Sequence, residues 1–167
     1  MTPYVIQLSL LAAALALLVA AGSDLRRFLI PDSCSLALIV SFSLYALAGA
    51  TQGAWPLHLA VFVLVFLVGL GLFAAGLAGG GDVKLFAATA LWAGPTLLVD
   101  LVVVMSLAGG LLAGIALARL WLFRRAVPSN LRSHVGTSPM AQQPIPYGIA
   151  IAVGGLFVLA HHAGLFG

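Results

Sequence analysis

The stretch GGGDVKLFAATALWAGP, residues 79–95, decides the fold. It opens on three glycines, carries an Asp and a Lys two positions apart, continues in small and apolar residues, and stops at Gly94-Pro95. A spanning helix needs about 20 mostly apolar residues, and the Gly-Pro pair makes this one short. If it crosses a membrane, the chain has six crossings. If it dips in and returns, everything after it changes sides.

A membrane is the right setting. The chain has 167 residues, of which 63% are hydrophobic and 7% charged, against about 25% charged in an average soluble domain. Mean hydropathy is +1.20. A soluble fold this short has no room to hide that much apolar surface, so the expectation is an all-α polytopic membrane protein, one membrane-embedded domain over residues 1–167. The apolar segments fall near residues 4–22, 34–50, 56–78, 82–92, 98–123 and 145–165.

Charge settles the doubtful fourth segment. With six crossings, Arg26 and Arg27 lie in the first loop on one face and Lys84 in the second. Arg119, Arg124, Arg125 and Arg132 lie in or near the third. Every Lys and Arg is then on one side, as the positive-inside rule requires. With five crossings the last four arginines would be outside. The sequence therefore predicts six transmembrane helices with both termini on the outer, periplasmic side. Residues 19–22 resemble a signal-peptide cleavage site, but the arginines follow this segment and none precedes it, which fits an uncleaved first helix. Residues 127–144, broken by Pro128, Pro139 and Pro144, read as a cytoplasmic loop. Gly69, Gly71, Gly76, Gly109, Gly110 and Gly114 suit close helix approach in lipid.

Several functions drop out. The excess of seven Lys and Arg over four acidic residues reflects basic cytoplasmic loops, not nucleic-acid binding. The lone Cys34 excludes an internal disulfide or a multi-cysteine zinc site and reads as a small buried hydrophobe. His58, His134, His161 and His162 have no Glu or Cys at zinc spacing. No Ser sits in a G-x-S-x-G elbow, and no G-K-[ST] follows the glycines. No metal or cofactor is expected.

What remains is four carboxylates. The chain has no Glu, so Asp24, Asp32, Asp82 and Asp100 are the whole inventory. The topology places Asp24, at the end of the first helix, on the same face as Asp32 and Asp82. Asp100 falls near the outer end of the fifth helix and takes no role. Alone, Asp24 reads as an interfacial residue, and Asp82 sits where glycines let the backbone bend. Two facing aspartates share a proton, so one can activate water while the other protonates a carbonyl or amine. Asp82 opens a helix and Asp24 closes one, so the macrodipoles predict that the shared proton rests on Asp24.

The residues also match a known pattern. SDLRRFLIPD, residues 23–32, places an Asp at the end of the first helix with Ile-Pro close behind. GGGDVKL, residues 79–85, follows as G-x-G-D-x-K-L, and PIPYGIAIAVG, residues 144–154, resembles the entrance to a last helix. Together they resemble the type IV prepilin peptidases, leader peptidases among the GxGD membrane aspartyl proteases. The resemblance implies that Asp24 and Asp82 are the catalytic pair. It matches Gly79 and Gly81 to the glycines of the GxGD loop and Lys84 to the lysine that follows. The glycine run, Gly80 included, is expected to let an extended substrate pass close to the backbone, and Lys84 to orient the site or meet an acidic group. Asp32, the other cytoplasmic carboxylate, is the best candidate to meet a basic leader residue.

The implied activity is removal of the basic leader from prepilins and pseudopilins, after a Gly, at the cytoplasmic face of a bacterial inner membrane. Larger members carry an N-terminal extension with paired cysteines and methylate the new N-terminus. This chain starts at its first helix and has one cysteine. It resembles the short, peptidase-only branch that serves Flp-type pili of tight-adherence systems, and methylation is not expected. Short archaeal preflagellin peptidases share the catalytic pattern, so the branch stays open. The competing class is a non-enzymatic channel or pilus-assembly scaffold. It explains apolar helices and glycines, but not two aspartates at matching helix ends.

Overall fold

The computed structural model describes residues 2–126 and 146–165. The expected loop at 127–144, with Arg132 and His134, lies outside them. Five helices follow in order: α1 Thr2–Arg27, α2 Asp32–Leu47, α3 Trp55–Ala74, α4 Gly80–Ala126 and α5 Tyr147–His162. Among the described residues all regular structure is helical. α1, α3 and α4 are each long and apolar enough to cross a membrane, whereas α2 and α5 are shorter apolar helices.

The fourth and fifth predicted segments are two helical limbs of α4 separated by a break. Gly94 has φ 58° and ψ −168°, inside α4. Neighbouring contacts give the directions on either side. Gly69 lies against Val83, and His58 against Gly94, so α3 runs antiparallel to the first limb of α4. Thr89 lies by Gly155 and Trp92 by His162, so α5 runs parallel to that limb. Leu101 and Met105 lie by Gly154, and Gly109 by Ala150, so α5 runs antiparallel to the second limb. The two limbs are therefore antiparallel, and Gly94-Pro95 is a hairpin rather than a bend.

Only glycine fits that hairpin. Its φ is in the left-handed region, and a Cβ there would sit 2.5 Å from the His58 ring. The break also frees carbonyls. Pro95 has no N–H to return to Leu91 O, and His58 Nδ1 donates to that oxygen at 2.8 Å. Trp92 O, one position on, accepts from His162 Nε2 at 2.9 Å. Tyr45 Oη then donates to His162 Nδ1 at 3.3 Å. Two histidines thus replace backbone hydrogen bonds that a buried break would otherwise leave unmade.

The first limb of α4 is the centre of the bundle. Leu85, Ala87, Ala88, Thr89, Ala90, Leu91, Trp92 and Ala93 are all buried. A helix buried on every side must be apolar all round, and its alanines let α2, α3 and α5 come close. Trp92 anchors the packing, with Nε1 donating to Leu38 O at 3.0 Å and its ring edge-on to Phe42. Cys34 is buried, as expected of a small hydrophobe. α3 is the opposite case, with only His58 and Gly69 buried.

The six glycines expected to pack divide. Gly69 lies tight on Val83, and Gly109 touches Ala150. A Cβ on Gly71, Gly76, Gly110 or Gly114 would meet nothing within 4 Å, so close approach within the chain does not explain these four. Gly76 has another use: its φ of +72° ends α3, with its N–H donating to Phe73 O at 2.9 Å.

Candidate active site

Asp82 is set by the start of α4. Gly79 is the N-cap, and its carbonyl accepts the first helical hydrogen bond, from Val83 N at 3.1 Å. Asp82 is then the third helical residue, and its carboxylate reaches back to the Gly79 N–H. That is the reciprocal half of a capping box. The glycines are sized to it. A Cβ on Gly79 would sit 2.7 Å from Asp82 Oδ2, one on Gly80 would sit 3.4 Å from the Phe73 ring, and one on Gly81 would sit 3.2 Å from Ile30 Cβ.

Asp24 lies in the last turn of α1 and is 6% exposed. It is buried within the bundle. Its backbone oxygen accepts from Phe28 N at 2.9 Å, and Phe28 then takes φ 51° as the chain leaves the helix. Ser23 Oγ closes the turn by donating to Leu29 O at 2.8 Å. The Asp24 carboxylate has a partner that sequence reasoning missed: the Gly148 N–H donates to Oδ2 at 2.7 Å. Gly148 is in the first turn of α5, where N–H groups lack helical acceptors.

The dipole argument for a proton on Asp24 therefore loses its footing. Asp24 faces the N-terminal end of α5 as well as ending α1, so both carboxylates are held by N–H groups at helix starts. Asp24 is also close enough to Asp82 to act on it as a neighbouring like charge.

Ile30, of the Ile-Pro pair, sits between the segments that carry them. It contacts Gly81 on α4, and its Cδ1 lies 3.0 Å from where a Gly148 Cβ would be. The signal for Gly148 was present in PIPYG, a glycine just past two prolines and inside a new helix. Nothing in one sequence says which carboxylate such a glycine meets.

Lys84 and Asp32 find each other. Lys84 Nζ bonds Asp32 Oδ1 at 2.9 Å and Oδ2 at 2.8 Å. The side chains are 48% and 73% exposed. The pair links the start of α2 to α4, and Asp32 meets a cation of its own chain. Asp100 is exposed on the second limb of α4. Among the described residues no three His, Cys, Asp or Glu side chains converge as a metal site would need.

Asp82 opens onto a groove of about 790 Å³ between α3, both limbs of α4 and the start of α5. Gly69, Gly76, Gly109 and Gly110 line it with Ser106 and Tyr147. The walls are mostly apolar and low in side-chain bulk, which suits a peptide segment passing close to backbone. Two carboxylates within reach of each other's charge, one of them on such a groove, can activate a water against a bound amide.

No curated protein and no solved structure matched this sequence. Residues 11–114, more than half of the 167, match the sequence model of the Type IV leader peptidase family. The match spans Asp24, Ile30 and the whole of GGGD, and by it the chain belongs to the type IV leader peptidase family.

Proposed function

We propose that this peptidase is an aspartic endopeptidase whose catalytic pair is Asp24 and Asp82. Its substrates are type IV prepilins and pseudopilins of the Flp-like class, cut after a Gly at the cytoplasmic face of a bacterial inner membrane. The observation that carries the reading is the approach of two aspartates from helices far apart in sequence, beside a groove and inside the matched region. Six crossings with both termini outside belong to the same reading. Alternating helix directions and the one-sided placement of Lys and Arg support it.

In the proposed reaction one carboxylate takes a proton from water as it attacks the scissile carbonyl carbon. The other protonates the carbonyl oxygen, giving a neutral gem-diol. Collapse returns a proton to the departing nitrogen, the C–N bond breaks, and acid and amine are released. The pair titrates as a unit, so the roles are those of the dyad. Backbone N–H groups at Gly79 and Gly148 keep each carboxylate oriented through the cycle.

The test is co-expression with a Flp-type prepilin, reading leader loss by gel mobility and N-terminal sequencing, with membrane insertion checked for each variant. Asp24→Asn and Asp82→Asn are expected to lose cleavage by about a thousandfold or more, as removal of an acid–base group does. Asp100→Asn is expected to stay within twofold. Cleavage surviving in either of the first two would end the dyad reading and bring the scaffold reading forward.

A further inference from the structure

Gly148 lies beyond the matched residues 11–114, yet it makes the one hydrogen bond from another helix that Asp24 accepts on its side chain among those described. We propose that Gly148 is the positioning residue of the site, fixing the Asp24 carboxylate through its N–H and keeping clear the space in which that carboxylate stands. The proposal rests on the dyad reading above.

Two features carry it. The first is the bond. At 2.7 Å it has the length of a charge-assisted hydrogen bond, and its donor would otherwise be an orphan of the first turn of α5. With Oδ2 held, Asp24 has one oxygen left to share a proton or hold water. The second is the clearance. A Cβ on Gly148 would sit 2.8 Å from Asp24 Oδ2, 3.0 Å from Asp24 Cβ and 3.0 Å from Ile30 Cδ1. Real Cβ atoms essentially never come under 3.0 Å, so Asp24 must move. Ile30 packs on the bare face of Gly81, next to Asp82, where an added Cβ would lie 3.2 Å from Ile30 Cβ. One methyl at 148 therefore pushes directly on Asp24 and on the Ile30 that stands between the two segments.

Gly155 supplies the control. It lies on the same helix, and its Cβ would overlap Leu17 at 2.7 Å and Thr89 at 2.8 Å, without touching either aspartate. Gly155→Ala thus disturbs the packing of α5 against α1 and α4 without an overlap on either aspartate.

The experiment uses the full chain in proteoliposomes with a purified prepilin, measuring kcat, KM, the pH profile and Tm. Gly148→Ala is expected to lower kcat by about 30-fold or more, with KM within threefold, and to shift the acid limb of kcat/KM. Gly155→Ala is expected to lower Tm at least as much while keeping that limb in place. Ile30→Val in the Gly148→Ala background removes one overlap and is expected to recover part of the kcat. A Gly148→Ala enzyme with kcat within threefold of wild type would overturn the proposal. So would one whose loss merely follows Tm, as in Gly155→Ala, with an unmoved pH profile.

A second measurement avoids the variant. In protein labelled with 15N-glycine, the Gly148 amide proton is expected far downfield and to move upfield in Asp24→Ala. An amide indifferent to Asp24→Ala would refute the bond whatever the kinetics show. Failure of Asp24→Asn to reduce cleavage would instead refute the dyad, a separate outcome.

Discussion

Asp32 and Lys84 show how one contact redirects a residue's assignment. Each has a functional reading in isolation, as a receptor for a leader cation and as a partner for a substrate acid. Paired with each other at 2.8 Å, neither charge is free without breaking a bond, and both are exposed enough for water to weaken it. Such exposed pairs contribute about 0.2–1 kcal/mol. Lys84→Ala is therefore expected to lower Tm slightly and leave cleavage within about threefold, since the pair fastens α2 to α4 and its bonds, among the described residues, go to each other and not to Asp24 or Asp82. The charge swap Asp32→Lys with Lys84→Asp is expected to restore Tm. Should Asp32→Asn alone raise KM for a leader rich in Lys, and the swap fail to restore it, Asp32 meets substrate after all. At this scale the sequence singles out Asp24 and Asp82 as candidates, because a carboxylate beside a glycine run or at a helix end in an apolar chain is conspicuous. It was not readable for Gly148, whose part is played by a backbone N–H that every non-proline residue has.

At the scale of elements, the short first limb of α4 is possible because side chains from other helices complete its broken turn. The Gly94-Pro95 stop was legible, and so was the doubt it raised about spanning. The reversal there was legible too, since the parity of the basic residues asks for a segment on each side of it; its bracing was not, because that depends on His58 and His162 arriving from α3 and α5, a long-range contact that periodicity does not encode. Leaving a buried carbonyl without a donor costs about 1–3 kcal/mol. His58→Ala, baring Leu91 O, and His162→Phe, baring Trp92 O, are each expected to destabilise by about that amount in detergent unfolding. The double variant is expected to depart from additivity, since both bonds brace one turn. Loss from His58→Ala but none from His162→Phe would mean that the turn needs a single brace. The packing glycines were legible only in part: Gly69 and Gly109 face helices, whereas Gly110 and Gly114 face open space, and sequence spacing does not say which side of a helix is covered.

At the scale of the whole molecule, the apolar helices do not match in length. α2 and α5 have 16 residues each and rise about 24 Å, and residues 80–93 rise about 21 Å, against a hydrocarbon core of about 30 Å. The second limb, residues 95–126, rises about 48 Å. Gly109 is level with Ala150, so the limb runs on past Asp24 and Asp82, with Ile115, Leu117, Trp121, Leu122 and Phe123 exposed. Those side chains are too apolar for water, and Arg125 folds over the Trp121 ring at 3.7 Å, a pairing suited to the headgroup zone. Under the proposed six-crossing reading, a membrane boundary near Trp121 on this side and near the exposed Arg26, Arg27 and Lys84 on the other would thin the bilayer across the site. Water and substrate backbone would then reach Asp24 and Asp82, which lie below the level of Trp121. The expected signature is in single-cysteine variants on a Cys34→Ala background in inverted membrane vesicles. Ser33→Cys, near the aspartates, reacts quickly with a membrane-impermeant maleimide. Leu117→Cys, farther along the chain's own axis, reacts slowly until detergent is added. Equal, fast labelling at both positions would mean that the limb stands in water and that the bilayer is not thinned.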